Sequence, residues 1–178
     1  MIAKKNPQAD TDSAVQEMLD RHAVLQVLYN YCKGLDRFEF DLLNGCWWPD
    51  GTDDHGIFRG TGTEFCEWVF PFLKETTERT QHNVLNTYIE IRGSKAHSEC
   101  NFIIWHRQLL QDGAQNDMIT GGRYIDDFER RRGIWKIKHR MVIYDWDRLD
   151  PVRGYYGTAF DSIRGLRGRE DYSYTRRW

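Results

Sequence analysis

The first third of the chain carries apolar residues at helical spacing. From residue 13 to residue 34 they recur every three or four positions and form one stripe, made of Val15, Met18, Leu19, Leu25, Leu28, Tyr29 and Cys32. Ser13 and Gln16 have the spacing of a capping box, and Gly34 is a typical residue at which a helix stops. The pattern predicts a first helix over residues 13–34 and a short second helix over residues 38–46.

The next segment mixes turn-forming and extended residues. The run Trp47-Trp48-Pro49-Asp50-Gly51 predicts a turn, and residues 55–59 predict a short strand. Thr63 is expected to cap a third helix, and Pro71 is expected to kink or end it. The apolar face of this helix consists of Phe65, Trp68, Val69, Phe72 and Leu73.

From residue 80 onward, apolar and polar residues alternate, as they do in strands with one buried face. Four such runs are predicted, over residues 80–91, 96–109, 119–130 and 134–146. Gly93, Asp112-Gly113 and Arg132-Gly133 separate them as turns. Helices followed by an antiparallel meander indicate the α+β class.

Composition and charge narrow the class of protein. The chain has 178 residues and a formal net charge of −2, which suits one domain without a built-in attraction for nucleic acid. No stretch approaches the ~20 apolar residues of a membrane span, and no apolar run follows the N-terminal lysines. We expect a cytoplasmic protein that binds neither membrane nor nucleic acid. Its predicted parts are a flexible N-terminus (1–10), one domain (11–147) and an extension packed on that domain or on a neighbouring subunit (148–178).

The potential metal ligands lack the spacing of a metal site. Four cysteines occur without a C-x-x-C pair, and six histidines occur without H-x-H or H-E-x-x-H spacing. We expect reduced core thiols, no metal and no cofactor, since a glycine-rich phosphate loop is also missing from the sequence. His55, His97 and His139 are interpreted as surface or loop residues.

Aromatic residues make up 14% of the chain, a surplus that can line a pocket for a flat apolar ligand. Strand alternation places His82 with Val84, Asn86 and Tyr88, and it places Phe102 and Ile104 with His106. In the last two strands it places Tyr124 with Phe128, and Arg140 with Val142, Tyr144 and Trp146. If these faces line one cavity, that cavity is aromatic with a few polar groups.

Three stretches of sequence resemble the nuclear-transport-factor-2-like superfamily, in its SnoaL-like branch. They are residues 29–36 (YNYCKGLD), residues 47–51 (WWPDG) and the hairpin of residues 121–137. This branch includes scytalone dehydratase, hexachlorocyclohexane dehydrochlorinase and bile-acid 7α-dehydratase. The resemblance implies a cone in which N-terminal helices pack on a strongly curved antiparallel sheet around a cavity.

The resemblance also implies roles for individual residues. His82 matches a catalytic histidine, Asp36 matches the aspartate that orients it, and Tyr31, His106 and Arg140 match groups that polarise an oxygen of the substrate. The residues expected to bind substrate are Tyr124, Asn86, Phe102, Phe128, Trp48 and Tyr144.

The implied activity is that of a cofactor-independent lyase acting on an aromatic or polycyclic small molecule. Dehydration or another β-elimination is one form, and retro-aldol cleavage, as in a lignin diarylpropane lyase, is another. An isomerase or cyclase on the same scaffold, or a non-catalytic ligand-binding or assembly subunit, remains open.

We also expect a homodimer or homotrimer, because a bent sheet exposes apolar rows that a single chain covers poorly. Aromatic residues of the tail would help to cover them, namely Tyr155, Tyr156, Phe160, Tyr172, Tyr174 and Trp178.

Overall fold

A computed structural model describes residues 7–110, 112–152 and 163–175. Within these residues the helices are α1 (Pro7–Arg37), α2 (Phe40–Asn44) and α3 (Gly62–Thr76). The strands are β1 (Trp47–Asp54), β2 (Arg59–Thr61), β3 (Thr77–Arg92), β4 (Lys95–Leu109), β5 (Gln115–Arg131) and β6 (Ile134–Pro151). A short 3₁₀ helix, Tyr172–Tyr174, lies near the C-terminus. The predicted α+β class is confirmed.

The strands form one sheet in the order β2-β1-β6-β5-β4-β3. The β3–β6 meander is antiparallel throughout, as the alternation predicts, whereas β1 joins β6 in parallel. Gly93 has a φ of 64°, and Arg132 and Gly133 have φ values of 53° and 81°. Positive φ at both Arg132 and Gly133 suits the twist of a tight hairpin. The turn predicted at Arg132-Gly133 is therefore confirmed.

Helix α1 is longer at both ends than the sequence predicts. It begins at Pro7, so residues 7–10 are helical where a flexible segment was expected, and it continues through Gly34 to Arg37. Gly34 serves close packing instead of a helix stop, because a Cβ atom there would lie 2.9 Å from the Cβ of Leu43 in α2. The added turn brings Asp36 to the end of α1.

The segment between α2 and α3 also differs from its prediction. The run expected to be a turn lies in β1, whose pairing with β6 shifts register between Trp47 and Thr52 and thereby accommodates Pro49. Residues 55–58, expected to be part of a strand, connect β1 to β2. Helix α3 is capped by Thr61, two residues earlier than Thr63, and it continues past Pro71.

A buried polar cluster fixes α1 on the sheet. Asp20 accepts a hydrogen bond of 2.8 Å from the indole N–H of Trp135 and one of 2.9 Å from Arg130. Beyond it, Leu28, Tyr31 and Leu35 are buried along the same helix. These contacts hold the C-terminal half of α1 against the strands, where Tyr31 and Asp36 face the residues of β3 and β6.

A bulge in β3 changes which side chains face inward. The pairing of β3 with β4 shifts register between Val84 and Thr87, and after this point Ile89 is buried while Tyr88 is exposed. Asn86 is exposed as well. The expectation that Asn86 and Tyr88 share the inner face of His82 is therefore wrong.

The described part of the C-terminal extension packs on its own domain. Arg167 donates hydrogen bonds to the carbonyl and hydroxyl oxygens of Thr77, at 2.9 and 2.7 Å, and the hydroxyl of Tyr174 donates to Glu39. Tyr172 is exposed, and the other tail aromatics, Tyr155, Tyr156, Phe160 and Trp178, lie outside the described residues. The homodimer or homotrimer stays a prediction.

Among the described helices, none combines the length and apolar character needed to cross a membrane.

Candidate active site

A cavity of about 170 Å³ lies between the helices and the sheet. Seven elements or loops contribute to its wall: α1, the β1–β2 connection, α3, β3, β4 and the facing parts of β5 and β6. The lining is mostly apolar, and its aromatic and imidazole side chains are Tyr31, His55, Phe65, Trp68, Phe72, His82, His106, Tyr124 and Tyr144. Such a surface suits a small, largely apolar ligand held by a few polar groups.

His82 and Asp36 form a hydrogen-bonded pair at this cavity. The Nδ1 atom of His82 lies 2.7 Å from Oδ1 of Asp36, and the backbone N–H of His82 donates to Oδ2 at 2.9 Å. The hydroxyl of Thr80 donates to Oδ1 at 3.0 Å. Three hydrogen bonds therefore fix the carboxylate, and the imidazole has one defined orientation.

This arrangement determines which nitrogen of His82 can react. A carboxylate at Nδ1 favours the tautomer with its proton on that atom and leaves the Nε2 lone pair free. The His82 side chain is only 6% exposed, so Nε2 meets a ligand in the cavity and little bulk water. Asp36 also stabilises the imidazolium that would form after proton uptake, as a general base requires.

His106 lies beside this pair as a neutral imidazole. Burial and the neighbouring His82 lower the pKa of His106 to about 3. The two imidazole rings are 5.6 Å apart, and Nε2 of His106 is buried without a hydrogen-bond partner among the described residues. A buried, unpaired ring nitrogen is free to bond a polar atom of a ligand.

Arg140 lies behind the cavity wall and does not line it, contrary to its predicted role. Its side chain is fully buried and makes two hydrogen bonds to Asp126, at 2.7 and 2.8 Å. Its guanidinium lies 4.0 Å from the ring centre of Tyr31 and 4.2 Å from that of Tyr124. Two aromatic rings thus stand between the arginine and a ligand.

The other residues predicted to bind substrate divide into two groups. Tyr124 and Tyr144 line the cavity. Phe102 is buried against the far side of Tyr124, with ring centres 4.4 Å apart, and Phe128 belongs to the closed core. Trp48 donates its indole N–H to the carbonyl of Glu129 away from the cavity. Phe102, Phe128 and Trp48 therefore do not line the cavity, contrary to prediction, and neither does the exposed Asn86. Alternation indicates which face of a strand a residue occupies, but not whether that part of the face reaches the cavity.

His55 is the site residue that the sequence interpretation missed. Its ring stacks on Phe65 at 4.4 Å in the cavity wall, and its Nε2 lies 3.1 Å from the hydroxyl of Tyr31. Its Nδ1 contacts the buried carboxylate of Asp53. The available signal was the Asp-x-His spacing, since two residues that are two positions apart in extended backbone point to one side.

The described residues offer no evident site for a metal. Within residues 7–110, 112–152 and 163–175, no three His, Cys, Asp or Glu side chains lie together as a metal ion would need. All four cysteines are free and buried, and burial raises the pKa of Cys32, Cys46 and Cys66 to about 12. Such thiols remain protonated and inert as nucleophiles.

Comparison with known proteins identifies the family to which the sequence is similar. The family model described as a SnoaL-like domain matches residues 16–141. Proteins of Mycobacterium tuberculosis (strain H37Rv) and Mycobacterium bovis, both described as uncharacterized, are 26% identical over 131 residues, which is 72% of this chain and 87% of each relative.

Solved structures share the fold at lower identity. The crystal structure of LinA has a TM-score of 0.70 and 18% identity, covering 80% of this chain and 96% of that one. A LinA type 2 structure, named as a hexachlorocyclohexane dehydrochlorinase, has a TM-score of 0.69 and 19% identity, covering 80% and 95%. A scytalone-dehydratase-like protein of Novosphingobium aromaticivorans has a TM-score of 0.66 and 22% identity, covering 81% and 94%.

The expected fold is confirmed by these neighbours, which reproduce helices packed on a curved sheet over four-fifths of the chain. Because the family model also matches well over half of the residues, the protein belongs to the SnoaL-like domain family, within the nuclear-transport-factor-2-like superfamily.

Proposed function

We propose that the protein is a cofactor-independent lyase for an aromatic or polycyclic small molecule. In this proposal, Nε2 of His82 removes a proton from a carbon next to a carbonyl or similar group, and a substituent on the neighbouring carbon then leaves. The observation that carries the proposal is the His82–Asp36 pair, 2.7 Å apart, with its free imidazole nitrogen at a largely apolar cavity. Such a pair supplies the base that elimination needs.

The cavity wall supports the substrate class. Trp68 stacks on Phe72 along α3, with ring centres 4.9 Å apart, and Phe65 lies at a tilt 6.1 Å from Trp68. Flat rings bind well against such surfaces. The volume of about 170 Å³ resembles that of a cavity that takes up benzene, which favours a substrate of one or two rings.

Two further groups support a reaction through an enolate. The Nε2 atom of His106 and the hydroxyl of Tyr124 are both buried and lack a hydrogen-bond partner among the described residues. Burial raises the pKa of Tyr124 well above its usual value, so this phenol stays protonated and can donate. A hydroxyl donor positioned where negative charge develops lowers the barrier to its formation. Nε2 of His106 adds a second donor in the tautomer that carries its proton on that atom.

The neighbours' names agree with elimination chemistry without establishing it for this chain. One is named a dehydrochlorinase and another is scytalone-dehydratase-like, and each name describes that neighbour's own elimination. At identities of 18–22%, the shared property is the fold, and function on a shared fold has to be argued from the site.

An isomerase or cyclase is the second candidate, and the same pair of residues favours it. After His82 has taken a proton, Nε2–H can return it to a different carbon of a bound enolate. Such a reaction conserves the mass of the substrate, whereas elimination releases water, halide or formaldehyde.

Two aryl ketones distinguish these reactions. With β-hydroxypropiophenone, dehydration gives phenyl vinyl ketone, and retro-aldol cleavage gives acetophenone and formaldehyde. With 1-phenylbut-3-en-1-one, an isomerase gives the conjugated ketone of unchanged mass. Products are separated by liquid chromatography and identified by mass and ultraviolet absorbance, which distinguishes the conjugated isomer from its substrate. The assay is run on the wild type, on His82→Ala, and on His97→Ala as a control, since His97 pairs with Asp127 on the exposed surface.

We expect a fragment or dehydrated product from the wild type and from His97→Ala, and none above background from His82→Ala. Products from the second ketone alone would support the isomerase. Equal products above background from the wild type and His82→Ala would show that His82 is not the base. No product above background from the wild type with either ketone would overturn both candidates in favour of the non-catalytic module.

A further inference from the structure

A second histidine–carboxylate pair lies in the wall of the same cavity. Asp53, at the end of β1, has a fully buried side chain and contacts Nδ1 of His55. Nε2 of His55 lies 3.1 Å from the hydroxyl of Tyr31. Asp53, His55 and Tyr31 thus form a continuous chain of hydrogen-bonding groups from a buried carboxylate to a phenol.

Tyr31 connects this chain to the reactive part of the cavity. Its ring centre lies 6.5 Å from that of His82, and both side chains line the same space. Burial raises the pKa of Tyr31 well above its usual value, against the opposing effect of the nearby Arg140 guanidinium. The phenol therefore carries its proton at neutral pH and is able to act as a donor.

We propose that Asp53, His55 and Tyr31 form a second proton relay, through which Tyr31 protonates an oxygen atom of the substrate as that atom leaves or gains charge. This inference rests on the proposed function and adds the acid that complements the base. Tyr31 is the catalytic residue of the relay, and His55 and Asp53 are positioning residues that act through it.

The proton transfers balance across one elimination. His82 takes the proton from carbon, the electrons of that C–H bond form the new double bond, and the C–O bond breaks. The departing oxygen takes the proton of Tyr31, and Tyr31 takes the Nε2 proton of a protonated His55. The products are the alkene and water or an alcohol. Exchange with solvent then removes the proton from His82 and restores one to His55.

Asp53 holds His55 in position within an apolar wall. Its Oδ1 atom contacts Nδ1 of the imidazole, whose ring stacks on Phe65 with ring centres 4.4 Å apart. The Oδ2 atom of Asp53 is buried without a hydrogen-bond partner among the described residues. His55 is therefore the side chain that this carboxylate orients.

The relay also indicates the substrate class. A hydroxide or alkoxide is a poor leaving group and needs a proton as its bond breaks, whereas chloride leaves as a stable anion without one. A dedicated acid is therefore useful for a substrate with a β-hydroxyl or β-ether oxygen. It has little value for a halide, which is the leaving group in the dehydrochlorinase neighbour's name.

Two probes that differ only in the leaving group test this inference. β-Hydroxypropiophenone and β-chloropropiophenone both give phenyl vinyl ketone, and the rates are corrected for the uncatalysed reaction. We expect Tyr31→Phe and Asp53→Asn to slow elimination from the hydroxy ketone by about 10²–10⁴-fold. The chloro ketone should slow by less than tenfold in the same variants. The matched control is Tyr29→Phe, because Tyr29 is exposed on α1.

The ratio of the two rates is the informative quantity, since a poorly folded variant slows both reactions alike. Equal slowing of both ketones by Tyr31→Phe and Asp53→Asn would overturn the relay. His82→Ala should slow both ketones equally. If it slowed neither, the proposed base would be wrong, while the ratio in Tyr31→Phe would still decide the relay.

Nitrogen-15 NMR of the histidines tests the geometry without any substrate. The wild type should show Nδ1–H protons deshielded by strong hydrogen bonds for His55 and for His82. Asp53→Asn should abolish the His55 signal and keep that of His82, and Asp36→Asn should do the reverse. Tyr31→Phe should shift the Nε2 resonance of His55 alone. Loss of both signals in Asp53→Asn, or no change in either, would contradict a separate second relay.

Discussion

Nδ1 of His82 lies 2.7 Å from Oδ1 of Asp36, although 46 residues separate the two along the chain. Asp36 comes from the final turn of α1 and His82 from the first half of β3. The same carboxylate accepts the backbone N–H of His82. A main-chain contact therefore fixes the position of the strand relative to the helix, and the side-chain contact depends on that position.

Thr80 should contribute to catalysis through Asp36. Its hydroxyl donates to the Oδ1 atom that also contacts His82, and Thr80→Val removes this bond while keeping the shape of the side chain. A hydrogen bond to a charged group contributes about 1.5–3 kcal/mol, so kcat/KM should fall by at least about tenfold. Steady-state kinetics with β-hydroxypropiophenone checks this. Thr52→Val on the exposed side of β1 is the control, and equal rates in the two variants would contradict the role of Thr80.

Much of this pair could be predicted from the sequence. A helical stripe places Asp36 just beyond the predicted end of a helix, alternation places His82 in the next long strand, and the family resemblance brings the two together. The α+β order is equally visible, since the four runs of alternation correspond to β3–β6. These features depend on local spacing, which a single sequence displays.

The spacing of residues along the chain does not predict whether a given side chain reaches the cavity. Arg140 was assigned to the inner face of β6 with Val142, but that face is closed at Arg140 by the rings of Tyr31 and Tyr124. Asn86 was misplaced because the β3 bulge leaves no mark in the apolar pattern. His55 was missed because the connection between β1 and β2 folds back over α3, which alternation does not reveal.

His106 should make the protein less stable in mild acid. The pKa of His106 is about 3 in the folded protein, below its usual value of 6.5, because of burial and the neighbouring His82. Between these two values the unfolded chain binds a proton that the folded chain does not. This group therefore makes the free energy of unfolding decrease as the pH falls from 6.5 towards 3.

His106→Gln removes that contribution and retains an N–H donor. Urea unfolding across this pH window should show a shallower loss of stability in the variant. The difference in slope should not exceed about 1.4 kcal/mol per pH unit, the limit for one proton. His97→Gln, at an exposed position, should follow the wild type. Parallel curves for the wild type and His106→Gln would show that His106 titrates normally.

Arg140 should matter for stability, because its charge neutralises a buried carboxylate. Arg140→Met leaves Asp126 buried without its partner and should cost about 3–5 kcal/mol of unfolding free energy. The double variant Arg140→Met/Asp126→Leu should recover much of that loss, since no charge is then buried.

Urea denaturation measures these differences, with Arg123→Met as a control that breaks the exposed pair with Asp145. Exposed pairs contribute about 0–1 kcal/mol, so this control should change little. An Arg140→Met variant as stable as Arg123→Met, yet without turnover, would instead return Arg140 to a catalytic role.

The most direct test of the central claim is hydrogen–deuterium exchange at the α-carbon of propiophenone in D₂O. This ketone has no leaving group, so deuterium uptake measured by mass spectrometry reports proton abstraction alone. The account predicts uptake catalysed by the wild type and by His97→Ala, and a rate lower by about 10²–10⁴-fold in His82→Ala, the usual effect of removing a general base. Full exchange activity in His82→Ala would contradict the assignment of His82 as the base.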